Sequence, residues 1–422
     1  MRIIQSNFTF VVFGAVLMAT GMVAGKLYAD DTPVKTKQAK PALQALWVVD
    51  GSGKSNISIF QGSRLGQKTG IVASGGVSAT ANDEPLYGLT FDSSNDLWLS
   101  FCGGQNASGY VAELTARSLR ALANLGSAEF KIIIEDPSAE DSSSGPPEYL
   151  ACPRGMAVDQ SGNLWVETSG AEETSQSPAL LEYASIQLTL NKDQKKLQAL
   201  VPSGVIETPA IQTSFGPVLA FDKAGNLWQS GGVISEQSPG DEEETVVEYT
   251  AAQLGTPASN TEPNQTLIVA DTSVSGALNA PSSITFDANG NLWVAFALGG
   301  TGNTGGVEMI AAADLSGEGT STPSPTVTLG PATLISTKAF GTLQSFANPD
   351  GLAFDNGGDL WVANQSKQAE QASKVGSGSI VEFTPSQLTA SGSPVPVRGI
   401  LANKKDTNLG APIYATFGPA LP

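Results

Sequence analysis

One short phrase recurs along the chain at regular spacing and constrains its fold more than any other feature. It reads "FDANGNLWVA" over residues 286–295. Close copies contain four further tryptophans, which are Trp98, Trp165, Trp228 and Trp361. The chain has 6 tryptophans in all, and the remaining one, Trp47, lies in a related "ALWVVD". Neighbouring tryptophans are 51 to 68 residues apart, and repeats at such a period are typical of arrays built from one structural unit.

The acidic residue, glycine and asparagines of this phrase suit either a calcium loop or a tight turn. An EF-type loop needs a glycine at its sixth position and a glutamate at its twelfth. Counted from Asp287, these positions hold Leu292 and Leu298. In a turn, Asp287 bonds nearby backbone N–H groups, and Asn289 and Gly290 tolerate positive φ. Apolar residues flank both sides at strand spacing, so the phrase predicts a β-hairpin.

Two more β-rich segments follow each hairpin. A third strand is predicted at "VAEL", "LLEY", "VVEY", "GVEM" and "IVEF", and most of these lead into T-x-x-x-L, which predicts a short helical turn. A fourth strand is predicted at "FKIIIE", "QTLIVA" and "TVTL". Four antiparallel strands in each of six units predict an all-β fold, a six-bladed β-propeller of four-stranded blades.

The C-terminal segment is expected to complete the first blade. Nothing before Trp47 resembles a first strand, whereas "APIYATF" over residues 411–417 aligns with "APSSITF" over residues 280–286. A strand at residues 411–418 would close the ring and remove two open edges. Alternation predicts Ile413, Ala415 and Phe417 on one face of this strand and Tyr414 and Thr416 on the other.

The N-terminal segment reads as an export signal. Arg2 precedes the apolar run "FTFVVFGAVLMATGMVAG", which predicts a signal peptide over residues 1–29 with cleavage after Ala29 or, as the alternative, Ala24. An uncleaved membrane anchor is also open, because the run is close to spanning length. Residues 30–44 are predicted to be a polar linker and 45–422 the propeller. The protein is therefore expected to be exported, either periplasmic or secreted.

The formal net charge of −18 limits the partners. Nucleic-acid affinity rests on neutralising phosphates, so no nucleic acid is expected as a partner. An acidic chain is equally unsuited to anionic lipid, so no membrane contact is expected unless the N-terminal segment stays uncleaved as an anchor. Acidic runs at residues 135–136 and 241–244 are predicted to lie in loops and to serve solubility. The protein is expected to be a monomer.

The chain has two cysteines and no histidine. Cys102 follows the second strand of one blade and Cys152 precedes the innermost strand of the next, so both lie on one predicted face. In an exported chain such a pair predicts a disulfide, and a redox or metal role is the lesser alternative. The absence of histidine excludes imidazole bases, Ser-His-Asp chemistry and ordinary zinc sites.

The phrase G-x-A-F-D-x-x-G-N-L-W-V-A resembles the repeats of NHL-type propellers. It also resembles the gluconolactonase/regucalcin (senescence-marker protein) superfamily and, more distantly, streptogramin lyase. The resemblance covers nearly the whole chain after the N-terminal segment, but it lies in scaffold residues. The streptogramin lyase resemblance implies a histidine base, which this chain lacks. The gluconolactonase-like resemblance implies one divalent cation, often calcium, held by oxygen ligands at the central mouth of the ring.

Candidate ligands for such a cation lie in the segments that enter the innermost strands. They are Glu84, Asn279, Asn348 and Asp350, with Asn364 after a second strand. Residues of these types are also ordinary turn residues before a strand. The glutamates of the third strand recur in five blades and are therefore interpreted as scaffold, namely Glu113, Glu182, Glu248, Glu308 and Glu382.

Two functional classes follow from the sequence. The loops after the second strands are long and polar, and loops on a rigid scaffold commonly carry function, although they can equally be decoration. The first hypothesis is an exported, non-catalytic propeller that binds a small molecule or a protein partner through this loop-rich face. The alternative is a calcium-dependent hydrolase of the lactonase or esterase type. Convergence of three or more oxygen ligands at the central mouth would favour the alternative.

Overall fold

The repeated phrase forms a hairpin that is organised by one carboxylate. Oδ1 of Asp287 accepts hydrogen bonds from the N–H groups of Asn289 and Asn291 at 2.8 and 3.0 Å. Oδ2 accepts from Nδ2 of Asn291 at 2.8 Å and from Nε1 of Trp293 at 3.2 Å. Gly290 has a φ of 85°, a conformation that glycine adopts without steric cost. The aspartate therefore caps a turn, as predicted.

The same tryptophan contact recurs in three other copies of the phrase. Nε1 donates to the turn carboxylate from Trp165 to Asp159, from Trp228 to Asp222 and from Trp361 to Asp355, at 3.2 to 3.5 Å. Each copy thus ties its turn to the buried tryptophan of the next strand.

We expect Asp287→Ala to lower the free energy of unfolding by about 3 kcal/mol, because four hydrogen bonds to one carboxylate are lost together. Urea denaturation at neutral pH measures the change. Asp314→Ala is the matched control, since Asp314 is exposed in the same blade and its loss is expected to stay within about 0.5 kcal/mol. Equal effects of the two substitutions would contradict the role given to the turn carboxylate.

The computed structural model describes residues 44–51, 56–65, 75–78, 85–103, 109–125, 130–135, 149–150, 152–168, 178–190, 196–207, 218–235, 242–271, 278–299, 304–330, 335–337, 341–343, 345–366, 378–401 and 410–420. They belong to one unit, Ala42–Pro422. The predicted signal peptide, its cleavage sites and most of the linker lie outside the described residues. None of the helices in the described ranges is long and apolar enough to cross a membrane.

Six sheets form six blades. Blade 1 contains β1 (Gln44–Asp50), β2 (Asn56–Gln61) and β3 (Gly75–Ser78). Blade 2 contains β4 (Leu86–Phe91), β5 (Leu97–Phe101), β6 (Tyr110–Leu114) and β7 (Ile132–Glu135). Blade 3 contains β8 (Pro153–Val158), β9 (Leu164–Thr168), β10 (Ala179–Tyr183) and β12 (Gly204–Glu207), and β11 (Lys196–Ala199) lies between β10 and β12 in the chain. Helices α1 (Gly62–Leu65), α2 (Ala116–Leu125) and α3 (Ser185–Leu190) follow β2, β6 and β10.

The other three blades repeat this order. Blade 4 contains β13 (Leu219–Phe221), β14 (Leu227–Ser235), β15 (Glu242–Tyr249) and β16 (Gln265–Asp271). Blade 5 contains β17 (Leu278–Phe286), β18 (Leu292–Gly299), β19 (Gly306–Ile310) and β21 (Val327–Leu329), and β20 (Gly319–Ser321) lies between β19 and β21 in the chain. Blade 6 contains β24 (Pro349–Phe354), β25 (Leu360–Asn364), β26 (Ser379–Phe383) and β27 (Arg398–Leu401). A separate hairpin joins β22 (Ile335–Thr337) and β23 (Gly341–Leu343). The turns after the third strands are α4 (Ala251–Leu254) and the 3-10 helices Ala312–Leu315 and Pro385–Gln387.

The C-terminal strand closes the ring, as predicted. Strand β28 (Pro412–Pro419) pairs antiparallel with β1, so that Phe417 lies opposite Leu46 and Pro419 opposite Gln44. Nε1 of Trp47 donates to the Pro419 carbonyl at 3.3 Å. The first blade therefore takes its innermost strand from the far end of the chain.

One detail of that strand was predicted wrongly. Ile413 packs in the same apolar cluster as Tyr414, whereas Ala415 and Phe417 pack in a different one. The register shifts at this point, and Tyr414 and Pro412 pair with consecutive residues of β1. The bulge at Ile413 breaks the simple alternation of faces that the sequence pattern assumes.

The core lies between blades rather than within them. Six apolar clusters of buried residues each join two neighbouring blades. In four of these interfaces a tryptophan packs edge-to-face on a phenylalanine of the next blade, at 5.2 to 6.2 Å between ring centroids: Trp47–Phe91, Trp228–Phe286, Trp293–Phe354 and Trp361–Phe417. Such pairs contribute beyond their buried area, so the recurrent phrase holds the blades together.

The outer edges of four blades are covered by the blade that follows. Strand β11 pairs in parallel with β7, and β20 pairs in parallel with β16. The Glu207 N–H donates to the Ser259 carbonyl, and Leu329 forms a bridge with Gly392. Each contact comes from a connection between the third and fourth strands of the next blade. Covered edges protect a sheet from pairing with other chains.

The acidic runs do not all lie in loops. Glu135 is the last residue of β7. Residues 242–244 lie in β15, which pairs with β14 on one side and with β16 on the other. The sequence prediction missed this because a strand that extends past the core carries polar residues like those of a loop. Asp136 and Asp241 lie outside the described residues.

The repeated third-strand glutamates are scaffold residues with raised pKa values. Burial raises the pKa of Glu113, Glu308 and Glu382 from an ordinary value of 4.5 to about 7. The pKa of Glu182 and Glu248 is raised by the same cause. Partners such as the Thr328 hydroxyl, which donates to Oε1 of Glu308 at 3.2 Å, offset only part of this effect.

The stability of the protein is expected to fall as pH rises from about 5 to about 8. In this window the folded state holds more protons than the unfolded chain, because the folded pKa values of these glutamates are the higher ones. Melting temperatures across the pH range measure the trend. Glu308→Gln, whose amide oxygen still accepts from Thr328, is expected to flatten it. A melting temperature that rises through this window would contradict the assignment.

Candidate functional site

The innermost strands share one bulge at the same position, where they approach the loop face. The register skips a residue between Leu86 and Gly88, between Pro281 and Ser283, and between Pro349 and Gly351, with equivalent shifts in β8 and β28. The residues at the bulges are Ile413, Tyr87, Arg154, Ser282 and Asp350, in blades 1, 2, 3, 5 and 6. We call these five residues the mouth ring. The blade 4 equivalent, residue 217, lies outside the described residues.

The mouth ring differs from the other end of the channel in one respect. At the hairpin end, the innermost strands finish on nearly uniform residues, which are Phe91, Val158, Phe221, Phe286, Phe354 and Phe417. These residues line a cavity of about 370 Å³. The mouth ring instead contains an aliphatic, an aromatic, a cationic, a hydroxyl and an acidic side chain on one repeated backbone geometry. Bulges are known to re-aim side chains next to functional sites.

Tyr414 forms a floor beneath the mouth ring. It belongs to β28 but packs both against the cluster between blades 1 and 2 and against the cluster between blades 4 and 5. Its side chain therefore spans the channel, and burial raises its pKa to about 12. The equivalent residues of the other blades are smaller, namely Gly88, Gly155, Val218, Ser283 and Gly351. The mouth is thus a cup rather than an open bore.

Arg154 is the cation of the mouth ring. Its guanidinium carbon lies 5.2 Å from the centroid of the Tyr87 ring on the neighbouring blade. Its Nε atom is buried without a hydrogen-bond partner, and no ion pair or hydrogen bond of the guanidinium with any described residue is found. A partly buried arginine with unused donors is unusual.

Glu167 lies behind Arg154 on the second strand of the same blade. It is fully buried, and no side chain in the described ranges donates a hydrogen bond to its carboxylate. Burial raises its pKa from 4.5 to about 8, against the lowering effects of the Arg154 charge and the Gly155 N–H. The equivalent positions in the other blades hold small or apolar residues, which are Val49, Ser100, Ser230, Ala295 and Ala363. A glutamate here is a departure from the repeat.

Asp350 is the anion of the mouth ring. Nε2 of Gln365 donates to its Oδ2 at 2.5 Å. Burial raises the pKa of Asp350 from 3.8 to about 7, and the Gln365 hydrogen bond lowers it in part. Arg154 and Asp350 occupy equivalent register positions in blades 3 and 6 of six, so their strands lie on opposite sides of the ring.

The predicted metal ligands fall on adjacent blades as far as they are described. Asn279 lies in β17, inside a strand rather than before it, and its buried Oδ1 has no partner among the described residues. Asn348 has a φ of 55°, and its N–H donates to the Thr304 carbonyl at 3.0 Å. The two innermost strands meet where the Ser282 hydroxyl donates to the Pro349 carbonyl at 2.6 Å. Glu84 lies outside the described residues.

Asn364 has a structural role. It is fully buried, its Oδ1 accepts from the Ala347 N–H, and its Nδ2 donates to the Ser345 carbonyl and the Ser379 hydroxyl, each at 3.2 Å. Its amide is therefore engaged in holding the segment before β24.

A separate acidic cluster lies at the hairpin end of blade 6. Oxygens of Asp355, Asp359 and Glu382 are within 4.8 Å of one another and could hold a metal ion. Arg398 already contacts Glu382 at 2.8 Å. Blade 2 has the same pattern. Asp96 occupies the position of Asp359 at the turn, and Nζ of Lys131 lies beside Glu113, 3.4 Å from its Oε1, as Arg398 does beside Glu382.

Blades 3 to 5 have asparagine where Asp359 stands, and their glutamates contact neutral partners. These partners are Ser203, Asn264 and Thr328. A basic residue therefore accompanies the extra carboxylate in the two blades that have it. The cluster is interpreted as a balanced part of the scaffold.

Cys102 and Cys152 form the predicted disulfide. It joins the end of β5 to the start of β8, with 4.1 Å between the Cα atoms. The bond therefore fixes two blades together beside the mouth ring, two residues from Arg154. Disulfides persist in oxidising compartments outside the cytoplasm. The long loops after the second strands fall mostly outside the described residues.

Sequence reasoning missed Arg154, Glu167 and Tyr87. The signal that could have found them is deviation within the repeat. Once the copies are aligned by register, a glutamate at a buried small-residue position and a cation at a bulge are visible in the sequence alone.

No protein-family model matches the chain, and no curated protein matches it in sequence. Among solved structures, a streptogramin B lyase is 13% identical over 81% of this chain and 77% of its own, with a TM-score of 0.39. A protein named as a gluconolactonase is 13% identical over 77% of this chain and 86% of its own, with a TM-score of 0.37. The PQQ-bound aldose sugar dehydrogenase from Streptomyces coelicolor is 13% identical over 90% of each chain, with a TM-score of 0.40. Likeness at this level says nothing about activity, and the fold assignment rests on the strand pairing above.

Proposed function

We propose that this protein is an exported, non-catalytic propeller that binds a small molecule or a protein partner at its loop face, with the mouth ring as the point of recognition. The observation that carries this proposal is the contrast between the two ends of the channel. One end repeats nearly the same residue in each blade, as a scaffold requires. The other keeps the same bulge but changes the side chain in every described blade, which gives an asymmetric surface on a rigid support.

The chemistry of the mouth supports a polar ligand. Among the described residues, nothing pairs with the guanidinium donors of Arg154 or with Oδ1 of Asn279. Tyr414 closes the cup below them, which limits the depth to which a ligand can enter. Pockets with a few convergent polar groups are the usual form of small-molecule sites.

A calcium-dependent hydrolase of the lactonase or esterase type is the second candidate. It is favoured by Oδ1 of Asn279, which has no partner in the described part of the chain, together with the carboxylate of Asp350 on the next blade. Oxygens of these two types are ligands that calcium prefers. Such a cation would polarise a substrate carbonyl at the mouth, and Arg154 would orient the substrate from the opposite side.

Thermal melting and turnover assays together separate the two functions. The binding proposal expects that at least one member of a panel of polar metabolites raises the melting temperature, and that Arg154→Gln removes this shift without altering the melting temperature of the free protein. Lys223→Gln is the matched control, because Lys223 is an exposed cation at the hairpin end.

The hydrolase expects a different result. Millimolar calcium would raise the melting temperature, Asp350→Ala would abolish that rise, and a lactone and ester panel would show turnover. Turnover that depends on calcium and Asp350 would overturn the non-catalytic proposal. No turnover, with no effect of calcium, would eliminate the hydrolase.

A further inference from the structure

The mouth has a donor side and an acceptor side. We infer that its ligand is a zwitterionic small molecule, whose anionic group binds Arg154 and whose cationic group binds Asp350. This inference rests on the proposed binding function and names the class of ligand.

The donor side lies on blades 2 and 3. A guanidinium has five N–H donors, and that of Arg154 makes no hydrogen bond to a described residue. The Tyr87 ring, 5.2 Å from its central carbon, covers one face by a cation–π contact and leaves the edge free. The edge is the part that binds a carboxylate through two parallel hydrogen bonds.

Glu167 does not cancel this charge. It lies beyond ion-pair distance of Arg154, since no contact within 4.0 Å joins the two among the described side chains. Burial raises its pKa to about 8, which opposes its charged form. Arg154 therefore presents a net positive charge to the mouth.

The acceptor side lies on blades 5 and 6. Gln365 occupies Oδ2 of Asp350, and Oδ1 makes no hydrogen bond within the part of the chain that the structure describes. Oδ1 of Asn279 on the adjacent blade is also unused there. Oδ1 of Asn279 is an acceptor only, and Oδ1 of Asp350 is one when the carboxyl is ionised, above its raised pKa of about 7. An ammonium group, which has only donors, matches both atoms.

The arrangement also selects against other ligands. A dicarboxylate would place its second anion against Asp350, and a diamine would place its second cation against Arg154. Like charges at close range oppose binding, so only a molecule with opposite charges at its two ends satisfies both sides of the cup.

The test uses unbranched ω-amino acids of increasing chain length, with the dicarboxylates and diamines of the same lengths as probes. Isothermal titration calorimetry on the wild-type protein measures affinity. One ω-amino acid is expected to bind at least about tenfold more tightly than its dicarboxylate and its diamine. Arg154→Gln and Asp350→Asn should each reduce that affinity by at least about tenfold, and Lys223→Gln should not.

The variants separate the two sides. Arg154→Gln is expected to leave diamine binding unchanged or stronger, and Asp350→Asn to do the same for dicarboxylates. Affinity for the zwitterion should fall as pH is lowered from about 8 to about 5, because Asp350 becomes protonated. Equal binding of dicarboxylate and zwitterion, unaffected by Asp350→Asn, would overturn the inference in favour of a simple anion site. Failure of every charged probe, while an uncharged metabolite still raises the melting temperature, would overturn it and leave the binding function intact.

Discussion

A chain truncated after residue 410 is expected to lose its folded state and to aggregate. Removing β28 deletes a whole innermost strand and exposes the edge of β1. Ala415 is buried, and Phe417 packs on Trp361 with 6.2 Å between ring centroids. Burial of a side chain such as Phe417 contributes about 1.5–3 kcal/mol, and the ladder to β1 is lost as well. An open strand edge also pairs readily with other chains.

Circular dichroism melting and size-exclusion chromatography check this expectation. Deletion of residues 421–422 alone is the matched control, because it leaves β28 intact, and it should melt like the full-length protein. If the chain truncated after residue 410 gave the same melting curve as that control, the closure of the ring by β28 would be wrong.

Loss of the disulfide is expected to lower the free energy of unfolding by roughly 3–4 kcal/mol. The bond closes a loop with a sequence separation of 50, and in the chain-entropy model this restricts the unfolded chain. The double variant Cys102→Ser/Cys152→Ser, compared with the wild type in urea, measures the change. Reductant should destabilise the wild type and leave the double variant unaffected. Two free thiols in protein exported under oxidising conditions would refute the bond.

The fold was predictable because the residues that stabilise it are also the residues that recur in each repeat. Trp228, Trp293 and Trp361 each serve a hairpin and an interface between blades at once, as Trp293 does by bonding Asp287 and packing on Phe354. Such a residue recurs in every unit, and its period therefore reveals the architecture. The closing strand was predictable for the same reason, since it is a displaced copy of the innermost strand.

The residues of the proposed site coincide only in part with the candidates from the sequence, because most of them are departures from the repeat. Asp350 was a candidate metal ligand by its place before a strand, whereas Arg154 and Glu167 have no motif of their own. The bulge was also invisible, since alternation in the sequence does not record a skipped residue, and Ile413 was misplaced as a result. Register, rather than residue type, identifies which side chains share the mouth.

The closure of the ring has a consequence for the order of folding. Trp47 and Pro419 are 372 residues apart in sequence but share a hydrogen bond, so the first blade cannot be completed until the last strand has been synthesised. Contacts of such long range are slow to form. Blades 2 to 6 are built from strands that are closer in sequence, and the edge of β1 stays unprotected until β28 pairs with it.

A circular permutant that links residue 419 to residue 44 by a short turn would make this contact local, since Gln44 and Pro419 are already paired. Its loop-closure cost would be lower by up to roughly 3–4 kcal/mol, so refolding should be faster while the finished ring is unchanged.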